Sequence, residues 1–143
     1  MKDKLIEQQE EKIYILVFDT GDEVVMELSA FAAKRGLAAA QLTGIGGFRD
    51  VSLGFFEPDR KDYKIIPVDE QVEVLSLVGT ITLYQGKPKV HAHVVVGKSD
   101  GSAHGGHLLG GHVWPTLEVV MTETPEHLQR RIDEVTGLAL IRW

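Results

Sequence analysis

The chain contains no cysteine. That excludes a disulfide framework, a thiolate metal site and a cysteine nucleophile, and leaves any soft-ligand chemistry to histidine. Long apolar runs are missing as well. Nothing approaches the ~20 residues needed to cross a bilayer, and the opening segment MKDKLIEQQEEK is charged, without the apolar stretch of a signal peptide. The expectation is a soluble, cytoplasmic protein with no membrane partner. Basic clusters are scarce: the formal net charge is −6 with a sequence pI of about 5.5. The densest basic stretches, Arg60-Lys61 and Gln129-Arg130-Arg131, are short and flanked by acids, which reads as a solvated face. Nonspecific nucleic-acid affinity is carried by clustered Lys and Arg, so this charge balance disfavours DNA as a partner. No linker, repeat or low-complexity segment divides the chain, so residues 1–143 are expected to form a single domain.

Glycine, in contrast, is plentiful, at 15 residues. Gly44-Ile45-Gly46-Gly47 lacks the Lys-Ser/Thr of a phosphate loop and leads into strand-like sequence rather than a helix. Close backbone packing or bulges within a sheet is the better reading.

Residues 1–11 read as a polar tail, a candidate for disorder. The stretch from Lys12 to Phe18 is β-branched and aromatic, as a strand requires. Val24, Val25, Leu28, Phe31 and Ala32 then recur at helical spacing between the acids Asp22-Glu23 and the bases Lys34-Arg35, with Gly36 just beyond. This predicts an amphipathic helix over Asp22–Arg35, capped by Asp22. From Leu37 onward, short apolar runs alternate with glycine-rich turns, among them Phe48-Arg49-Asp50 and Gln85-Gly86-Lys87-Pro88. Glu73 to Tyr84 alternates less cleanly, as a strand covered on both faces does. Thr124-Pro125-Glu126 resembles a helix start, giving a short helix within His127–Val135 before a last strand in GLALIRW. The expected class is α+β: a mostly antiparallel sheet of six or more strands, one long N-terminal amphipathic helix and short helical cover.

Five of the six histidines fall between His91 and His112. His91 and His93, two apart, leave one face of an extended strand while Val90, Ala92, Val94 and Val96 leave the other. Ser99-Asp100-Gly101 should reverse the chain. With that three-residue loop, opposed residues have numbers that sum to 200, and His93 faces His107. Three imidazoles on one hairpin face, with a fourth coordination position open, match the zinc pattern of catalytic rather than structural sites. His104 and His112 lie at odd separations from His107, so in a regular strand they point away. Bulges at Gly105-Gly106 or Gly110-Gly111 would bring them back as reserve ligands.

Several motifs in one order resemble the Plants and Prokaryotes Conserved domain: Gly21-Asp22-Glu23, Gly44-Ile45-Gly46-Gly47, Leu75 to Gly79, His91-x-His93, Gly105-Gly106-His107-Leu108 and Glu118, over roughly Lys12 to Trp143. The resemblance implies a homotrimer, a metal at His91, His93 and His107, and a fold shared with acetolactate decarboxylase. It also implies a regulatory or DNA-associated role, although the basic arm that carries DNA contact in plant members has no counterpart here. The competing expectation is a zinc-dependent lyase or hydrolase for a small carbonyl or carboxylate compound. Glu118 and Glu57 are the candidate general acids or bases, and Arg49 or Arg60 would hold an anion. No Ser-His-Asp set can be assembled.

Overall fold

The computed structural model describes residues 1–8, 12–124 and 129–142. In chain order its elements are β1 (Lys2–Gln8), β2 (Lys12–Phe18), α1 (Val24–Arg35), β3 (Ala39–Glu57), β4 (Asp62–Val68), β5 (Val72–Tyr84), β6 (Lys87–Gly97), β7 (Ala103–Glu123), β8 (Gln129–Ile132) and β9 (Ala139–Arg142).

This corrects the expected α+β class to a mostly β fold. The helix is 12 residues, about 18 Å, not a long element. Its N-cap is Glu23, whose carboxylate accepts from Met26 N–H at 2.7 Å, because Asp22 is diverted to the Asp19 N–H and the chain's terminal ammonium. Gly36 ends it in the left-handed conformation, at φ 65°. Val24, Leu28, Phe31 and Ala32 form its buried face. The short helical cover is not found among the described residues: 129–132 is strand, while Pro125 to Leu128 lie outside them. Strand pairing there overrides the local helix signal.

The strands form one sheet ordered β1-β2-β7-β3-β5-β8-β9, with β4 added to β3, and β6 paired to both β5 and β7. It is mixed rather than purely antiparallel, since β8 runs parallel to β5. Pairing of β3 with β5, β5 with β6, β6 with β7 and β7 with β3 closes a loop of four strands. The core lies against one face of it, built from Leu42, Phe48, Leu53, Leu77, Ile81, Ala92, Val94 and Val96 together with the apolar side of α1.

No turn forms at Phe48-Arg49-Asp50. The chain runs through as one 19-residue strand that absorbs its bends in register shifts against β7. The expected turn at Gln85-Gly86 is present, with both residues at positive φ. β5 is covered on both faces only near its end: Thr82 is fully buried, whereas Leu75 and Val78 are exposed. Residues 2–8, expected within a polar tail, pair with β2.

The Gly44–Gly47 stretch is where β3 presses on β7. A Cβ at Gly46 would lie 2.4 Å from the Thr116 carbonyl oxygen and 2.7 Å from Leu117 Cα, and Gly46 also has φ +149°. Gly46→Ala therefore combines backbone collision with conformational strain and should cost about 3 kcal/mol or more. At Gly36 only the conformational penalty applies, since nothing lies within 4 Å, so Gly36→Ala should cost about 1 kcal/mol. Urea unfolding of the two variants beside the parent checks the ordering.

Candidate metal centre

The histidines are positioned by the hairpin of β6 and β7. His93 pairs directly with His107, and the pairing continues without a register shift through Gly97 and Ala103. This is the register predicted from the loop. Ala92, Val94 and Val96 are buried on the core side, which turns Lys89, His91 and His93 outward. The ligand-capable nitrogens of His91, His93 and His107 all lie within 4.8 Å of one another. Imidazole centroids are 5.3 Å apart for His91 and His93, 5.1 Å for His91 and His107, and 5.4 Å for His93 and His107.

The donor set fits a divalent transition metal. Tetrahedral coordination with Zn–N near ~2.1 Å asks for nitrogen separations of roughly 3.4 Å, so loading would draw the three side chains inward. His107 Nδ1 is buried without a hydrogen-bond partner, an exception that a bound ion explains. Two of the imidazoles, His91 and His107, are also biased towards the neutral form that a ligand must have. Burial first, then the neighbouring His91 and His93 and the cations Lys89 and Arg130, push His107 down to about 4. His91 is lowered by the same burial, with Arg130 the next cause.

Two residues that sequence reasoning passed over complete the surroundings. Tyr63 of β4 stacks on His107, with centroids 4.7 Å apart and planes 23° from parallel. Space for it comes from Gly54, which pairs with His107 and where a Cβ would stand 2.8 Å from the Tyr63 ring. Arg130 of β8 donates from its Nη2 to His91 Nδ1 at 3.2 Å and to Thr80 at 3.2 Å. Its Nε donates to Thr82 at 2.6 Å and its Nη1 to the Ala139 carbonyl at 2.9 Å. The solvated-face reading of Gln129-Arg130-Arg131 is thus corrected at its centre, since Arg130 is only 8% exposed. The signal that could have found it is the Thr136-Gly137 turn, which makes 129–132 one arm of a hairpin ending in β9.

The other candidates lie elsewhere. His104 is exposed opposite Val96, on the far side of the strand from His107. His112 donates from Nδ1 to Asp50 at 2.7 Å. Arg49 binds the same Asp50, and Arg60 pairs with Glu57 at the tip of the β3–β4 hairpin. Glu118 lies in an exposed hollow with Ile45, Leu75 and Val78, none of it lined by the three histidines. A separate cavity of about 110 Å³ adjoins the cluster, lined by Tyr63, Lys89, His91, His107 and Arg130 among others.

Folding lowers the proton affinity of His107, so between its ordinary value of 6.5 and about 4 the unfolded chain binds more protons than the native one. Without metal, stability should accordingly fall as pH drops through that window. His107→Gln should flatten the dependence, read from urea midpoints across pH 4 to 7.

The sequence profile of the Plants and Prokaryotes Conserved (PCC) domain matches residues 5–125. A plant- and prokaryote-conserved protein of Pyrococcus horikoshii superposes with a TM-score of 0.87 at 32% identity, covering 99% of this chain and 95% of that one. A metal-containing protein of Archaeoglobus fulgidus gives 0.87 at 33% identity, covering 98% and 99%. A protein of Bacteroides thetaiotaomicron whose proposed role is DNA binding gives 0.88 at 28%, covering 98% and 96%. The fold extends to acetolactate decarboxylase of Bacillus subtilis, with a TM-score of 0.57 at 17% identity over 77% of this chain and 51% of that one. Among curated proteins, the bifunctional protein GlmU of Synechococcus sp. (strain JA-3-3Ab) is 29% identical over 129 residues; the match covers 88% of this chain and spans only 20% of that relative's length.

Proposed function

As the chain belongs to the Plants and Prokaryotes Conserved (PCC) domain family, we propose that it is a metal-binding protein of regulatory or DNA-associated type, with His91, His93 and His107 holding one divalent ion. The observation that carries this reading is the convergence of three imidazoles, one with a buried unpartnered nitrogen. Zinc suits three imidazoles and an open position best, although nickel, iron and copper accept the same donors. The metal-containing relative from Archaeoglobus fulgidus supports it. DNA association is supported by the Bacteroides relative's proposed role. A net charge of −6 weighs against a strong phosphate grip and makes the metal centre the principal ligand site.

The cavity beside the histidines favours a second reading, a metal-dependent lyase or hydrolase acting on a small carbonyl or carboxylate compound. When bound, the metal would polarise such a ligand or activate water. Glu118 and Glu57 are poor acid–base candidates for that chemistry, one in a different hollow and the other paired with Arg60.

Elemental analysis of purified protein tests the metal centre. His93→Ala should lose the ion and His112→Ala should keep it; equal loss in both, or loss in neither, would refute the assignment. We extend the proposal to a homotrimer. Ile45, Leu75, Val78, Val95 and Val120 are all more than 40% exposed, and the register aligns Val120, Thr43, Val78 and His93 across four neighbouring strands. A face this apolar is normally covered by a partner. Sedimentation at micromolar concentration should give three 15.8 kDa subunits, and Val78→Lys should shift the population to monomer.

A further inference from the structure

Arg130 is a buried cation that has no counter-charge among the described residues. It is 8% exposed, yet its four hydrogen bonds go to two hydroxyls, a carbonyl and an imidazole. No carboxylate pairs with it among the described residues. Burial alone pushes its guanidinium below the usual arginine range. Buried charges are ordinarily paired, because an unpaired ion loses its hydration without replacement. Its position is equally informative: it lines the 110 Å³ cavity together with His91, His107, Lys89 and Tyr63.

The contact between Arg130 and His91 adds a coupling. A neutral imidazole has a single lone-pair nitrogen, and in His91 that nitrogen is Nδ1, which accepts from Arg130. A metal on Nδ1 would take this lone pair directly. A metal on Nε2 would require the proton to sit on Nδ1, where it faces an arginine that can only donate. By either route, metal loading ends the hydrogen bond and leaves an Arg130 N–H without an acceptor, facing a second positive charge.

We propose that Arg130, assisted by Lys89 and Tyr63, forms a subsite for a small carboxylate beside the histidines, and that metal and carboxylate bind cooperatively because the metal removes the Arg130 acceptor on His91. The proposal rests on the three-histidine metal reading and deepens it by naming the ligand class and the residue that selects it. The planar guanidinium fork matches a carboxylate. The cavity has room for a small carboxylate such as acetate or pyruvate. Linkage is reciprocal: the carboxylate must raise metal affinity by the factor through which metal raises carboxylate affinity.

The test measures zinc affinity by competition with a chromophoric chelator, in sodium acetate against sodium perchlorate at equal ionic strength, with the chelator calibrated in each salt. Acetate should tighten zinc binding roughly tenfold, within the range common for coupled sites. Arg130→Gln should still bind zinc but lose the acetate effect. Lys89→Ala, at an exposed position, should weaken the effect without abolishing it. Zinc binding indifferent to acetate, or an acetate effect unchanged in both variants, overturns the subsite while leaving the metal centre standing. If the parent binds no zinc, the metal reading fails first. Acetate binding to the metal-free chain, followed by chemical shifts, then decides the subsite: binding that Arg130→Gln removes retains it, and its absence overturns it.

Discussion

The double pairing of β6 is the constraint on which the candidate site depends. β6 meets β5 along its length and β7 at its far end, closing the four-strand loop. Closure leaves β6 without a free edge over Val94 to Gly97 and fixes its register on both sides, so alternation is enforced rather than merely favoured. Ala92, Val94 and Val96 must then face the core, and His91 and His93 cannot. A slip of one residue would bury two imidazoles and expose three apolar side chains, so the free energy that holds the core also holds the histidines in place.

The parts of this arrangement legible in the sequence are those set by short-range rules. The His91-x-His93 parity and the three-residue loop depend only on the pleat and on turn geometry, and the structure has the same register. Glycine at Gly44, Gly46 and Gly47 reads as close packing because the neighbouring sequence is strand-like, and the backbone of β7 does fill that space. The helix over Val24–Arg35 follows from its period and Gly36, but its cap is decided by tertiary contacts: Glu23 also accepts the Gly111 N–H at 3.0 Å. Arg130 and Tyr63 were not legible as site residues. One arrives by parallel pairing with a strand 46 residues earlier, the other by a hairpin folding over β3. Neither contact leaves a periodic trace in the local sequence.

The electrostatics of the centre oppose those of the chain as a whole. An acidic protein of net charge −6 gathers Lys89, Arg130 and three histidines in one place. Burial, reinforced by the neighbouring cations, lowers the proton affinity of His91 and His107 despite the acidity of the chain. The result is a cluster of lone pairs beside positive groups, which suits a metal ion accompanied by an anion better than either one alone.

The attachment of β8 has a consequence for access. Its parallel register with β5 involves two residue pairs, Leu83 with Gln129 and Tyr84 with Arg130, far fewer than join the strands of the closed loop. The β8–β9 hairpin, which supplies Arg130, Ala139 and Leu140 to the cavity wall, is held by those pairs, by the arginine's bonds to Thr80, Thr82 and His91, and by Lys61 Nζ donating to the Glu134 carbonyl at 3.2 Å. Segments fastened this way open at a fraction of the cost of global unfolding. The arginine that lines the cavity is therefore also a side chain that ties this hairpin to β5 and β6, so a change at Arg130 would act on the cavity wall and on the hairpin's attachment together.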